Sequence, residues 1–575
     1  MRTIIVFIAM LAVVLPATVR AGEWIVDARY TDEAQLRHLG AHFQHVILDR
    51  DQRLLTVEAD EAGIAFLTGA GFEVHVDMVA SALLRELQPP GAALASIPSY
   101  TCYRTVEETA ARIDALVLAH PDIAVADDIG PTWEHVQLPA NGYRMRALRV
   151  THLATAASDP GRPPMVLFGS IHAREYAPAE LLTRMAEWLV TGYGTDPQAT
   201  WLVDHVDFRF VLHANPDGRK KAEAGLLWRK NTNTSNNVCS GSPDSSYHAG
   251  IDLNRNFPFH WNSAPGGSSG APCEAVYRGP APMSEPETQN LVRYVAGIQG
   301  EDGAFSGGAL PDRKADATTI AAPDDYAGIF FDIHSYGGLV LYPWGDVNTS
   351  TPNASAFQVL GRRLAWFNQY TPLRAVQLYA TDGGTIDTFY GQLGAPSFVM
   401  EVGSSFFQSC STFESTVFPH NLAALKYAAR TAKAPYQLPL GPETHSLSLA
   451  PMQVEAGQPV SIMATIDDLR YRTASPAQPT FAITAARATI DLPPWHADAL
   501  HIPLAAADGN FNSKTENVIG NLDTSGLAPG RHLVYVQGVN AANGGTPGVP
   551  DAVFLDVLAP NDTIFRDGFE PPAQE

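Results

Sequence analysis

Short apolar runs at Met165 to Gly169, Ile329 to Ile333 (interrupted only by Asp332) and Phe398 to Met400 constrain this chain most, because ionisable residues follow each closely. Runs without polar alternation belong to strands buried on both faces, as in the parallel part of an α/β sheet. Phe208 to Leu212 reads as a further buried strand. Leu181, Leu182, Met185, Trp188 and Leu189 fall on one face of a helix. The alternation predicts an α/β domain, and in such sheets chemistry gathers beyond the carboxyl ends of the strands.

At 575 residues the chain has room for this core and smaller modules. Residues 1–21 read as a secretory signal peptide: Arg2, an apolar stretch from Ile4 to Leu15, then the small-residue site Val19-Arg20-Ala21. The stretch is shorter than the roughly 20 residues that cross a bilayer, so no membrane span is expected after cleavage. Residues 22–97 predict a βαββαβ ferredoxin-like unit with its linker: strand Trp24 to Tyr30, helix Asp32 to Phe43, hairpin Val46 to Ala59, helix Glu61 to Thr68, strand Phe72 to Val76. The linker contains Gln88-Pro89-Pro90-Gly91 and then Ala92 to Ser96, a composition that proteases find exposed. The α/β domain is expected over 98–434. From 435 to 559 short alternating segments such as Val460 to Ile466 and His532 to Val539 read as an all-β sandwich. Residues 560–575 form a tail, read as disordered ahead of a sorting signal.

The balance of 38 Lys and Arg against 60 Asp and Glu gives a net charge of −22, which argues against nucleic acid or anionic lipid as partner. Export makes Cys102, Cys239, Cys273 and Cys410 disulfide candidates with three possible pairings, and none belongs to a C-x-x-C metal pair.

His172-Ala173-Arg174-Glu175 follows the first apolar run. An H-x-x-E on a strand-to-helix turn can aim an imidazole and a carboxylate at one zinc ion, though the tetrapeptide alone is common. His334 directly follows the second run and can supply a third ligand from a neighbouring strand end. Two neutral imidazoles and one carboxylate leave the metal a net positive charge with which to acidify water. Glu401 ends the third run, where desolvation suits a carboxylate to act as general base.

These residues and the ordered motifs H-A-R-E, W-R-K-N, D-L-N-R-N, D-I-H-S-Y and M-E-V resemble the zinc metallocarboxypeptidases of the pancreatic A/B type, over roughly residues 100–430. The resemblance implies one zinc ion per chain held by His172, Glu175 and His334, with Glu401 as the base. It implies that Asn254 and Arg255 anchor the terminal carboxylate of a peptide, that Tyr379 closes over it, and that Arg174, Arg229, Ser335 and Tyr336 complete the substrate-binding set. In Trp228-Arg229-Lys230-Asn231-Thr232, Thr232 stands at the position assigned to the family's carbonyl-polarising arginine, a departure that implies either compensation by zinc with Arg174 or Arg229 or an enzyme slower than its relatives. Ile386 matches the pocket position that is apolar in A-type members, which implies apolar or aromatic terminal residues as substrates; a shift of one position would substitute Asp387 and invert the preference. The family's disulfide implies Cys239 with Cys273, leaving Cys102 with Cys410.

The fold class expected is thus α/β: a mixed-sheet α/β/α carboxypeptidase catalytic domain between a ferredoxin-like prosegment and a β-sandwich. The prosegment implies a secreted or periplasmic zymogen, activated by a protease that cuts the linker. Zinc acyl-amino-acid deacylases share H-x-x-E and a later His but generally lack the Asn254, Arg255 and Tyr379 set. A peptide- or polysaccharide-binding protein with a vestigial site would have little reason to keep Glu401.

Overall fold

The computed structural model describes residues 24–559 except 44–45, 51, 79, 82–96, 98, 160, 236–238, 240–247, 315–317 and 474–475. The expected signal peptide, the Gln88 to Ser96 linker and the tail therefore lie outside the described residues.

The N-terminal unit is a four-stranded antiparallel sheet in the order Val46–Asp49, Leu54–Ala59, Trp24–Arg29, Glu73–Asp77. Its second helix, Glu61–Gly69, starts where the Asp60 carboxylate accepts the Gly63 N–H. The first helical segment, expected over Asp32 to Phe43, is a tighter 3-10 helix at Glu33–Ala41, opened by an Asp32/Gln35 capping box.

The central sheet has eight strands in the order Thr371–Arg374, Leu339–Tyr342, Ser397–Glu401, Ile329–His334, Pro164–Gly169, Asp207–Val211, Arg144–Val150, Ala124–Pro131. Its middle four strands run parallel, and both flanks join antiparallel, so the sheet is mixed. All six residues of Pro164–Gly169 and of Ile329–His334, Asp332 included, are buried, as strands covered on both faces require. Helix Tyr176–Gly192 covers the sheet with Leu181, Leu182, Met185 and Leu189 fully buried, while Trp188 is only partly covered. Each such side chain contributes about 1.5–3 kcal/mol of transfer free energy. The register aligns Ile333 with both Gly169 and Met400, so the three apolar runs end at one level. That alignment carries His172, His334 and Glu401 to the same edge.

The C-terminal all-β region forms one path of strands around a second core that includes Val460, Ile462, Ile483, Val534 and Leu555. Strand Ile502–Ala506 belongs to both halves: Leu504 pairs with Ala486 on one side and Ala506 with Val518 on the other. The region is fastened to the α/β part by buried cations. Arg363 donates to Asp468 (3.0 Å) and to the carbonyls of Pro439 (3.2 Å) and Gly441 (2.7 Å), and Arg430 pairs with Glu443. Disulfides join Cys102 to Cys410 and Cys239 to Cys273. Among the described residues, no helix is long and apolar enough to cross a membrane.

Candidate metal centre

His172 and Glu175 sit on the turn between strand Pro164–Gly169 and helix Tyr176–Gly192, and His334 ends its own strand. Their donor atoms all lie within 4.8 Å of one another, and all three side chains are buried. His172 Nδ1 is 2.7 Å from Glu175 Oε1; His334 Nδ1 is 3.2 Å from Glu175 Oε2 and 3.0 Å from His172 Nδ1.

The far side of each imidazole is also occupied. His172 Nε2 faces Asp252 Oδ1 at 3.3 Å, and His334 Nε2 faces Asp332 Oδ2 at 3.0 Å. When both imidazoles are neutral and donate Nε2–H to these carboxylates, each Nδ1 presents a lone pair, so two acceptors face each other across 3.0 Å. A shared cation removes that conflict. The donor set of two imidazole nitrogens and a carboxylate suits zinc, and the carboxylate–histidine pairs behind it fix ring orientation and tautomer. The Ser335 N–H holds Glu175 Oε2 from the backbone (3.1 Å).

Beside these atoms lies a cavity of about 60 Å³ lined by His172, Arg229, Asn254, Arg255, His334, Tyr379, Ile386 and Glu401, among others. Glu401 pairs with His334 in the sheet register. Burial pushes its carboxyl above the usual carboxylate range, with Glu175 adding and with His334 and Arg229 opposing. Arg229 is buried, donates through Nε (3.1 Å) and Nη2 (2.8 Å) to Asp252 Oδ2, and brings Nη1 to 3.2 Å from His172 Nδ1. Asn254 is oriented by the Thr385 N–H, which donates to its Oδ1 (3.0 Å).

Thr232 lines a different groove, with Trp133, Glu134 and Lys221, and does not line the cavity. The W-R-K-N segment thus brings Arg229 to the cavity wall and Thr232 to the separate groove. Arg174, Ser335 and Tyr336 are also absent from the cavity wall. Arg174 stacks on Phe406 (3.7 Å), and Tyr336 donates its hydroxyl to Glu58 of the N-terminal unit (3.0 Å). Asp252 and Asp332 do not stand out in the sequence, although both lie inside motifs that do, D-L-N-R-N and D-I-H-S-Y. Leu341 and Leu378, which form apolar wall with Val399, lie in none of those motifs or runs.

Residues 109–417, more than half of the chain, match the family described as zinc carboxypeptidase. The chain belongs to the zinc carboxypeptidase family. It is 26% identical over 472 residues to carboxypeptidase A1 of Mus musculus, covering 76% of this chain and 100% of that one. It is equally 26% identical to carboxypeptidase B of Astacus astacus, over 43% of this chain and 65% of the other. The crystal structure of carboxypeptidase A from Helicoverpa armigera superposes with a TM-score of 0.55 at 20% identity, covering 72% of this chain and 98% of that one, and so shares the fold. As a family member the chain is a metallocarboxypeptidase, a hydrolase of C-terminal peptide bonds. Percent identity is the same to this A-named and this B-named relative, so the preferred terminal residue has to be argued from the cavity.

Proposed function

We propose that this zinc carboxypeptidase is exported as a zymogen and removes apolar or aromatic residues from peptide C-termini. One zinc ion would be held by His172, Glu175 and His334; when bound, it supplies Lewis acidity that polarises the scissile carbonyl and acidifies water. Glu401, on the cavity wall beside His334 in the sheet register, takes the proton from the attacking water and returns it to the leaving amine. Arg229 points its Nη1 toward the same end of the cavity and stabilises the developing oxyanion. Asn254 and Arg255 bind the terminal carboxylate, and Tyr379 closes the cavity over it.

The observation that carries the specificity is the apolar wall of Leu341, Ala375, Leu378, Ile386 and Val399. Besides Glu401, Asp387 is the carboxylate that lines the cavity among the described residues, and both of its oxygens turn to the Gly345 N–H (3.1 and 2.9 Å). Burial, reinforced by Asp346, pushes its carboxyl up to about 7, which makes it a weak partner for a substrate cation. A Lys or Arg side chain entering here would be desolvated without a full counter-charge.

The zymogen reading is supported by contacts of the N-terminal unit with the cleft. Glu58 accepts from Tyr336, Arg50 donates to the Gln377 carbonyl, and Gly40 packs so closely that a Cβ there would lie 2.6 Å from Tyr379 Cδ2. A protease acting on the linker would release the unit. The two disulfides support an oxidising compartment outside the cytosol.

The test is release of phenylalanine against arginine from N-blocked dipeptides by the full chain after limited proteolysis. Phenylalanine is expected to be released preferentially, and Ile386→Asp to shift the preference toward arginine. Preferential release of arginine by the unaltered protein would overturn the pocket assignment.

A further inference from the structure

Asp382 lies between Tyr379 and the Gly383-Gly384 pair and is only 1% exposed. Its Oδ2 accepts the Ala264 N–H at 3.0 Å, and its Oδ1 accepts the Ser268 hydroxyl at 2.5 Å. Ala264 and Ser268 flank a turn closed by Gly267 N–H donating to the Ala264 carbonyl (2.9 Å). Within that turn the Gly267 carbonyl accepts Nε of Arg255 at 3.0 Å. Gly267 leaves no room for slack, since a Cβ there would lie 3.0 Å from Asp382 Oδ2.

The circuit closes through the main chain. The Gly383 carbonyl accepts the Phe257 N–H (2.9 Å), and Gly383 adopts φ +61 against Arg255, where a Cβ would come within 2.4 Å of the Arg255 carbonyl oxygen. Arg255 is thus gripped at its guanidinium by the 264–268 turn and at its backbone by the residue after Asp382. The loop that bears Tyr379 runs through the same point.

We propose that Asp382 is a positioning residue that locks the Arg255 guanidinium and the Tyr379 loop into one preorganised clamp for a terminal carboxylate. The proposal rests on the reading of this cavity as a carboxylate-anchoring site. A charged acceptor held by two donors is stronger than a neutral one, and a bidentate clamp loses affinity when its fork is free to wander. Asp382 touches neither substrate nor metal, so its effect is on binding and not on the chemical step.

The experiment compares wild type, Asp382→Ala, Asp382→Asn and Arg255→Ala as zinc-loaded full chains activated by limited proteolysis. The binding probes are 3-phenylpropanoate and its uncharged amide, 3-phenylpropanamide, by calorimetry; kinetics use an N-blocked glycyl-phenylalanine. Asp382→Ala is expected to raise KM and the Kd for the propanoate about tenfold, with kcat within about threefold and amide affinity unchanged. Asp382→Asn, which keeps an oxygen for the Ala264 N–H, is expected to recover most of the loss. Unchanged propanoate affinity in Asp382→Ala, or equal losses for both probes, would overturn the proposal. If Arg255→Ala binds the propanoate as well as wild type does, the carboxylate-anchoring reading itself fails, whatever Asp382→Ala does.

Discussion

His334 and Glu401 sit directly opposite each other in adjacent parallel strands, the last paired residues of Ile329–His334 and Ser397–Glu401. One residue faces Glu175 with its Nδ1 and the other lines the cavity, so the proposed metal ligand and the proposed base are fixed relative to one another by backbone register. A slip of one residue in either strand would send that strand's side chain to the other face of the sheet.

The carboxylates behind the imidazoles give the first prediction. Asp252→Asn and Asp332→Asn are expected to weaken zinc affinity by about 10–100-fold while leaving the fold intact. Chelator competition followed by measurement of bound metal checks this; affinities equal to wild type would remove the orienting role of the 3.3 and 3.0 Å contacts.

Gly40 gives the second. A larger side chain there would collide with the Ala380 carbonyl oxygen, only 2.4 Å from where its Cβ would lie, and with the Tyr379 ring. Gly40→Leu is therefore expected to lift the N-terminal unit off the cleft and give the uncleaved chain measurable peptidase activity. An uncleaved Gly40→Leu protein as silent as the uncleaved wild type would contradict the shielding.

A third concerns pH. Glu287 is fully buried, accepts the Trp133 N–H (2.7 Å) and shares the Asn231 amide with Glu285. Burial pushes its carboxyl up to about 8; the Trp133 hydrogen bond opposes this and Glu285 adds to it. The folded chain therefore keeps a proton that the unfolded chain releases. This group's contribution to stability is complete below the ordinary carboxylate range and is lost as pH rises through about 8. Denaturation midpoints of the wild type should thus fall more steeply than those of Glu287→Gln between about pH 5 and about pH 8; parallel curves would contradict it.

The sheet and the edge that carries the candidate residues were legible because Phe398 to Met400 is wholly apolar and Ile329 to Ile333 is broken only by Asp332, so His334 and Glu401 stand out at the ends. Val460–Asp467 was legible as a half-buried strand from its alternation. Other features depend on directions that a linear pattern does not encode. Arg229 and Thr232 lie three residues apart in one segment, yet one lines the cavity and the other a separate groove. Asp252 and Asp332 act through the rings they face, and Asp382 through a turn more than a hundred residues away in sequence. The sharing of strand Ile502–Ala506 between the two halves of the C-terminal region likewise depends on long-range pairing.

Zinc-dependent catalysis through Glu401 is tested by the zinc content of the purified chain together with its chelator-sensitive release of phenylalanine after limited proteolysis, in wild type and in Glu401→Gln. One zinc per chain is expected in both proteins, with release slowed about 10²–10⁴-fold in the variant. A chain that binds no zinc, or a Glu401→Gln protein as active as wild type, would contradict the assignment.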